Sequence, residues 1–214
     1  MSEIILHDYW RSSAAYRVRI ALNLKGVPYA QVSHDLRASA QRAEAYVAIA
    51  PHGLVPALQV GDTTIIESPA ILEWIDARWP APPLLPAGED EKAVVRAMAA
   101  LIGCDIHPLN NLRVLNALKA DLQATPAQVR AWTHHWIAEG FTALDRMIER
   151  HGGACAFGDR PTLADCYIVP QIFNARRFDV DLTPYPALVA VGEAIAALPA
   201  VRAAHPECQP DADH

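Results

Sequence analysis

The chain has 214 residues, 52% of them apolar, and a formal charge of −6. That is enough apolar material for a core in one large domain or two small ones and excludes a disordered chain, while the negative balance offers no global field to nucleic acid or an anionic membrane. Four widely spaced cysteines without a C-x-x-C or metal spacing, an opening Met1–Leu6 without a basic n-region or long apolar h-region, and no run of membrane-spanning length together read as a cytoplasmic protein with reduced thiols.

The apolar run Ile4 to Leu6 reads as a strand, and Ser13 to Lys25 as a helix closed by Gly26. Val27 to Val32 is a second strand and the polar stretch Ala38 to Ala48 a second helix, ended by Pro51. Leu54 to Val60 and Thr63 to Glu67, separated by Gly61-Asp62, form a hairpin. Pro56 cannot donate to a ladder, so it is either an edge residue or a cis proline presenting neighbouring backbone to a ligand. Ser68-Pro69 supplies a cap and a first-turn proline for a helix through Trp79.

Pro80 to Pro86 is too proline-rich for helix or central strand and marks a linker. The predicted division is a βαβαββα domain over 1–80, a linker over 81–86 and an all-helical domain over 87–214. Its helices run from Glu89 to about Cys104, about Pro108 to Leu122, Pro126 to Arg150, Leu163 to Arg177 and Pro186 to Leu198, and the polar tail from Pro206 reads as loosely held. Thr162-Leu163-Ala164-Asp165 fits a capping box, which makes Asp165 structural.

The segment Trp10 to Arg17 places Ser12 and Ser13 where a strand hands over to a helix. There the first-turn N–H groups and the positive end of the helix dipole make an anion site, with Arg11, Arg17 and Arg19 nearby in sequence. Two ordinary N-caps would leave the same pattern. Fifteen of the 18 basic residues are Arg, which suits carboxylate recognition, although genome composition gives the same bias. His134 and His135 are adjacent, so their rings point to different helix faces and make no metal site.

This order of elements, with Val55-Pro56 before the third strand and Glu67-Ser68 before the third helix, resembles the glutathione transferase superfamily. Arg11-Ser12-Ser13 with Arg17 to Leu22, Gly158-Asp159, Val169-Pro170-Gln171 and Asp181 to Pro186 are similar to its zeta class, the maleylacetoacetate and maleylpyruvate isomerases. Ile102 to Pro108, Asn110-Asn111 and Ala175-Arg176-Arg177-Phe178 resemble the bacterial maleylpyruvate isomerases. Two positions depart from the class: Ala14 stands where Cys is usual, and Glu67 where Gln is frequent.

The resemblance implies glutathione as cofactor, a small diacid as substrate, and a homodimer. It implies that Ser12 hydrogen-bonds the glutathione sulfur, with Ser13 beside it, and that the helix dipole helps to lower the thiol pKa. Val55 next to Pro56 would pair with the cysteinyl backbone, Glu67 would take the γ-glutamyl ammonium, and Ser68 the neighbouring carboxylate; Gln41 and His107 match further glutathione contacts. Isomerising a maleyl diacid requires temporary loss of its double bond by conjugate addition of a thiolate, and Arg11, Arg113 and Arg176, with Asn111 nearby, are implied to anchor the carboxylates and the developing enolate charge. Without the resemblance, Arg113 and Arg176 would be solvated helix residues. A transferase or dehalogenase of small α-halo acids, and a noncatalytic module of the same fold, remain alternatives.

Overall fold

A computed structural model describes residues 3–213; Met1 and Ser2, which open the leader reading, and His214, the last residue of the tail, lie outside the described residues. The chain divides into two compact units, Met1–Leu84 with Ala197–His214, and Leu85–Ala196. The boundary falls within the expected proline linker. The C-terminal segment, expected with the helical domain, instead belongs to the first unit.

In the first unit, β1 (Ile4–Asp8), β2 (Ala30–Ser33), β3 (Ala57–Val60) and β4 (Thr63–Ile66) form one sheet in the order β2-β1-β3-β4. β1 runs parallel to β2 and antiparallel to β3, with His7 opposite Ala57, and β4 pairs antiparallel with β3, with Ile66 opposite Ala57. This register brings the end of β1, the start of β3 and the end of β4 to one end of the sheet. The helices that follow β1 and β4, α1 (Ser13–Leu24) and α3 (Ser68–Arg78), therefore both begin there, and they pack on each other. Leu6, Val18, Ile20, Leu22, Leu58, Ile71, Leu72 and Ile75 fill the space between helices and sheet with at most traces of exposure. Each such side chain contributes roughly 1.5–3 kcal/mol.

The stretch Ser13 to Leu22 of α1 is buried at every position, because α9 (Pro199–Ala203) covers a further side of it. A charge inside such a helix costs several kcal/mol unless every donor is used. Each nitrogen of Arg19 is engaged: Nη1 meets both oxygens of Asp8 at 2.8 and 2.7 Å, Nη2 the carbonyl of Trp10 at 3.0 Å, and Nε the carbonyl of Ala204 at 3.0 Å. It is a structural cation, not part of the anion site its position in the sequence suggested. The tail from Pro206 is likewise docked: Gln209 is buried, and Asp211 accepts the Trp10 N–H at 3.0 Å.

Other boundaries also shift. The expected helix Ala38 to Ala48 is two single 3-10 turns, Leu36–Ala38 and Ala40–Arg42, followed by the short α2 (Glu44–Val47). The expected strand Val27 to Val32 starts only at Ala30, after Pro28, and the strand expected from Leu54 starts at Ala57, after Pro56, since neither proline can donate to a ladder.

The second unit is helical: α4 (Glu89–Ala100), α5 (Leu112–Ala120), α6 (Pro126–His151), α7 (Leu163–Arg177) and α8 (Pro186–Ala196). α4 stops short of Cys104 because Leu101–Ile106 winds as a π-helix, in which the His107 N–H reaches the Ile102 carbonyl at 2.9 Å. Ile102, Ile106, Ile137, Phe141, Leu144 and Leu188 are its buried centre. Asp165 accepts from the Thr162 N–H at 2.7 Å, the Thr162 hydroxyl at 2.9 Å and the Ala156 N–H at 2.9 Å, which ties the start of α7 to the preceding loop. Burial pushes its carboxyl above the usual range, and those hydrogen bonds pull the other way. Among the described residues, no helix is long and apolar enough to cross a membrane, and no group of three or more His, Cys, Asp or Glu could hold a metal ion.

Candidate functional site

The end of the sheet where α1 and α3 begin collects Arg11, Ser12, Ser13, Val55, Pro56, Glu67 and Ser68. Ser12 caps α1 with its Oγ accepting the Ala15 N–H at 3.2 Å, which leaves its O–H as a donor. The N–H groups of Ser13 and Ala14 belong to the first turn and have no intrahelical acceptor. Together with the dipole of a buried helix they favour an anion beside Ser12. Arg11 lies over the indole of its neighbour, its guanidinium carbon 5.2 Å from the Trp10 ring centroid.

Val55-Pro56 is a cis peptide, one of the two forms the sequence allowed. Val55 precedes the ladder, which opens at Ala57, so its backbone groups are not committed to the sheet. Tyr46 holds this loop by donating its hydroxyl to the Leu54 carbonyl at 2.7 Å, and it packs in one apolar cluster with Tyr9, Trp10 and Val55.

At α3 the cap position belongs to Glu67 and not to Ser68, which is already the first helical residue with Pro69 behind it. Glu67 has φ 69° and ψ 118°, a backbone conformation that residues with a Cβ rarely adopt. Its carboxylate is exposed, whereas Ser68 is buried and accepts Arg17 Nη1 at 3.1 Å. Arg17 thus braces the start of α3 from inside α1. The sequence held a signal for this: Tyr16-Arg17-Val18-Arg19-Ile20 puts two cations in an otherwise apolar helical run, where each must find a buried partner.

Gln41 sits in the turn Ala40–Arg42, and its Oε1 is a buried acceptor without a hydrogen-bond partner among the described residues. A hydroxyl donor and two helix N-termini, an exposed carboxylate, uncommitted backbone at Val55 and an unfilled amide acceptor fit a peptide-like ligand that carries a thiol, carboxylates and an ammonium. Ala14 supplies no thiol at this end, and in the second unit burial, with the charges of Asp165 and Asp159, pushes the Cys155 thiol up to about 11.

In the second unit, His107 follows the π-helix and is half-buried. Asn111 caps α5 by accepting the Arg113 N–H at 3.1 Å, so its side-chain carbonyl is used and its NH₂ remains the available donor. Arg113 is exposed one residue into that helix. The structure thus gathers His107, Asn111 and Arg113 on one short segment. Arg176 lies elsewhere, near the end of α7, and pairs with Glu193 of α8 at 2.6 Å with both side chains about half exposed.

Residues 11–78 match the family model for the glutathione S-transferase N-terminal domain. Over 208 residues, 96% of this chain and 98% of the relative, the sequence is 49% identical to a maleylpyruvate isomerase of Ralstonia sp. A solved maleylpyruvate isomerase, described as a bacterial glutathione S-transferase of the zeta class, superposes with a TM-score of 0.96 at 48% identity, covering 98% of this chain and 100% of that one. The chain belongs to the zeta-class glutathione S-transferases. This zeta-class chain is also similar to the maleylacetoacetate isomerase of Anaeromyxobacter dehalogenans 2CP-1, with 43% identity, a TM-score of 0.89 and full coverage of both chains in a structure with glutathione bound in the active site. A second structure of that isomerase holds dicarboxyethyl glutathione and citrate there.

Proposed function

We propose that this zeta-class transferase is a glutathione-dependent cis–trans isomerase of a maleyl diacid, converting maleylpyruvate to fumarylpyruvate or maleylacetoacetate to fumarylacetoacetate in aromatic-compound catabolism. The observation that carries the proposal is the convergence of two helix N-termini at one sheet end, with Ser12 free to donate. Bound there, glutathione supplies the thiolate that adds to the double bond and leaves after rotation. Its likeness to relatives named for both substrates, one of them holding a dicarboxyethyl conjugate, supports a diacid over a monoacid.

Each residue has a role its geometry allows. Ser12 donates to the sulfur, and the N–H groups of Ser13 and Ala14 with the α1 dipole stabilise its negative charge. Val55 pairs its backbone with the cysteinyl unit, Glu67 accepts the ammonium, and Ser68, braced by Arg17, meets the adjacent carboxylate with the N-terminus of α3. Gln41 and His107 add polar contacts to glutathione. Arg11, Arg113 and Arg176 bind the diacid's carboxylates and the charge that develops on it, and the NH₂ of Asn111 donates to the same group. Arg176 must exchange Glu193 for substrate. An exposed pair of this kind is worth only about 0–1 kcal/mol, so the exchange costs little. A cytoplasmic homodimer completes the reading.

The test follows loss of maleylpyruvate and maleylacetoacetate absorbance with and without glutathione. Turnover is expected to require glutathione without consuming it. Ser12→Ala should lower turnover about 100-fold, and Arg176→Ala should raise KM for the diacid about tenfold with glutathione affinity kept. Glutathione-independent turnover, or none with either diacid, refutes the proposal; halide release from α-halo acids with stoichiometric glutathione consumption favours the dehalogenase.

A further inference from the structure

The turn that delivers Ser12 is fixed at four backbone groups. The Tyr9 N–H donates to Asp8 at 2.6 Å, the Tyr9 carbonyl accepts the Ser12 N–H at 2.9 Å, and the Trp10 carbonyl accepts Arg19 Nη2 at 3.0 Å. The fourth group is the Trp10 N–H, and its acceptor comes from almost the other end of the chain: Asp211 Oδ2, at 3.0 Å. The same oxygen accepts the Ser33 hydroxyl, so one carboxylate joins the turn after β1 to the end of β2.

Asp211 is held on both sides. Gln209, 5% exposed, accepts Gln31 Nε2 at 3.0 Å, and Gln31 donates equally to the Asp8 carboxylate that Arg19 grips. The Gln209 amide donates to the carbonyls of Ala203 and His205 at 3.0 and 2.7 Å. Ala212 packs against the cluster of Tyr9, Trp10, Tyr46 and Val55, and Asp213 pairs with Arg37, which also pairs with Asp35. Successive residues thus run over the base of the turn, each with a separate anchor.

We propose that Gln209–Asp213 is a strap that sets the Tyr9–Ser12 turn in its thiolate-stabilising geometry, with Asp211 as a positioning residue. The inference rests on the glutathione reading above. Position and charge act in opposite directions here. As a bare negative charge near the α1 N-terminus, Asp211 disfavours a thiolate and raises its pKa. As the acceptor that holds Trp10, it keeps the Ser12 hydroxyl and the first-turn N–H groups aimed at the sulfur, which lowers that pKa.

The opposed signs make the test decisive. Glutathione affinity is measured by calorimetry, and the bound thiol's pKa by thiolate ultraviolet absorbance against pH, in the wild type, Asp211→Asn, Asp211→Ala and a chain ended after Pro210. Asp211→Asn keeps an acceptor and should bind within about twofold of the wild type, with a thiol pKa no higher. Asp211→Ala and the shortened chain should bind about tenfold more weakly and titrate about one unit higher. In glutathione-free protein, amide exchange of Asp211→Ala should quicken from Trp10 to Ala15 while Leu6 and Leu58 keep their protection. A thiol pKa in Asp211→Ala at or below the wild-type value overturns the proposal, as does unchanged or uniformly quickened exchange. Absence of glutathione binding by the wild type refutes the functional reading instead, and exchange then decides the strap alone.

Discussion

Glu67 combines an exposed carboxylate with a left-handed backbone, φ 69°. A residue with a Cβ held there costs of order 1–3 kcal/mol, a cost accepted where the chain must leave β4, turn and start α3 within one residue. Backbone and carboxylate can be separated by substitution. Glu67→Ala and Glu67→Gly both delete the carboxylate, and only glycine relieves the backbone. Glu67→Gly is therefore expected to be about 1 kcal/mol more stable than Glu67→Ala in urea unfolding, with glutathione affinity lowered alike in both. Equal stability would show that position 67 carries no strain. The strand-to-helix junctions at Ser12 and at Glu67-Ser68 were legible in the sequence, whereas the cap of α3 falls on Glu67 and not on Ser68, which the local pattern favours. Asp211 was not legible, because its whole role comes from contacts with Trp10 and Ser33 that no local pattern encodes.

At the scale of elements, a partly buried relay links β1 with β3 and with the residue just past β2. His7 of β1 meets His34, just past β2, between Nδ1 and Nε2 at 3.0 Å, and its Nε2 faces Gln59 Oε1 of β3 at 3.4 Å. With the Gln59 oxygen facing His7, the neutral form of the pair that uses both contacts has His7 donating from Nε2 and His34 donating to His7 Nδ1. The ring of Tyr46 from α2 lies tilted against that of His34, the two centroids 4.0 Å apart, and the Asp8 carboxylate is the nearby anion. Burial lowers the His34 pKa, the charge of His7 lowers it further, and Asp8 opposes them. The unfolded state therefore binds the proton more readily. His34 contributes stability above its unfolded pKa of about 6.5, and that contribution is lost as the pH falls through this value towards the folded pKa. The thermal midpoint should drop between pH 7 and pH 5, and His34→Gln, which keeps a donor to His7, should shrink the drop. An identical drop in the variant would contradict the relay. His205 is lowered too, by burial and Arg19 against Glu207, so some slope remains. The hairpin and the capping box at Thr162 could be read from turn and cap residues. The π-helix could not, since it is defined by backbone spacing, the His107 N–H reaching the Ile102 carbonyl, and not by any residue type.

For the molecule as a whole, the first unit is discontinuous: Ala197–His214 closes what Met1–Leu84 begins. Val201 and Ala204 are fully buried, and the Ala204 carbonyl is the acceptor for Arg19 Nε. Ending the chain after Ala196 should therefore cost at least about 3 kcal/mol, from exposed α1 surface and an unsatisfied buried cation. Urea unfolding followed by circular dichroism reads this directly, and an unchanged midpoint would mean that α1 does not depend on the segment. Composition and the proline linker made the two units legible. The return of the chain to the first unit was hidden because nothing local in Pro199–Ala203 marks the α1 surface on which it packs.

That return has a consequence for synthesis. The serine-bearing turn is translated before its supporting contacts, which wait for Ala204, Gln209 and Asp211, and the contiguous unit Leu85–Ala196 is translated in between. Order of translation and order of completion are reversed. Fragments that stop before Ala204 carry Ser12 but not the groups that hold its turn, so the turn can take its final geometry only after Asp211 has been translated.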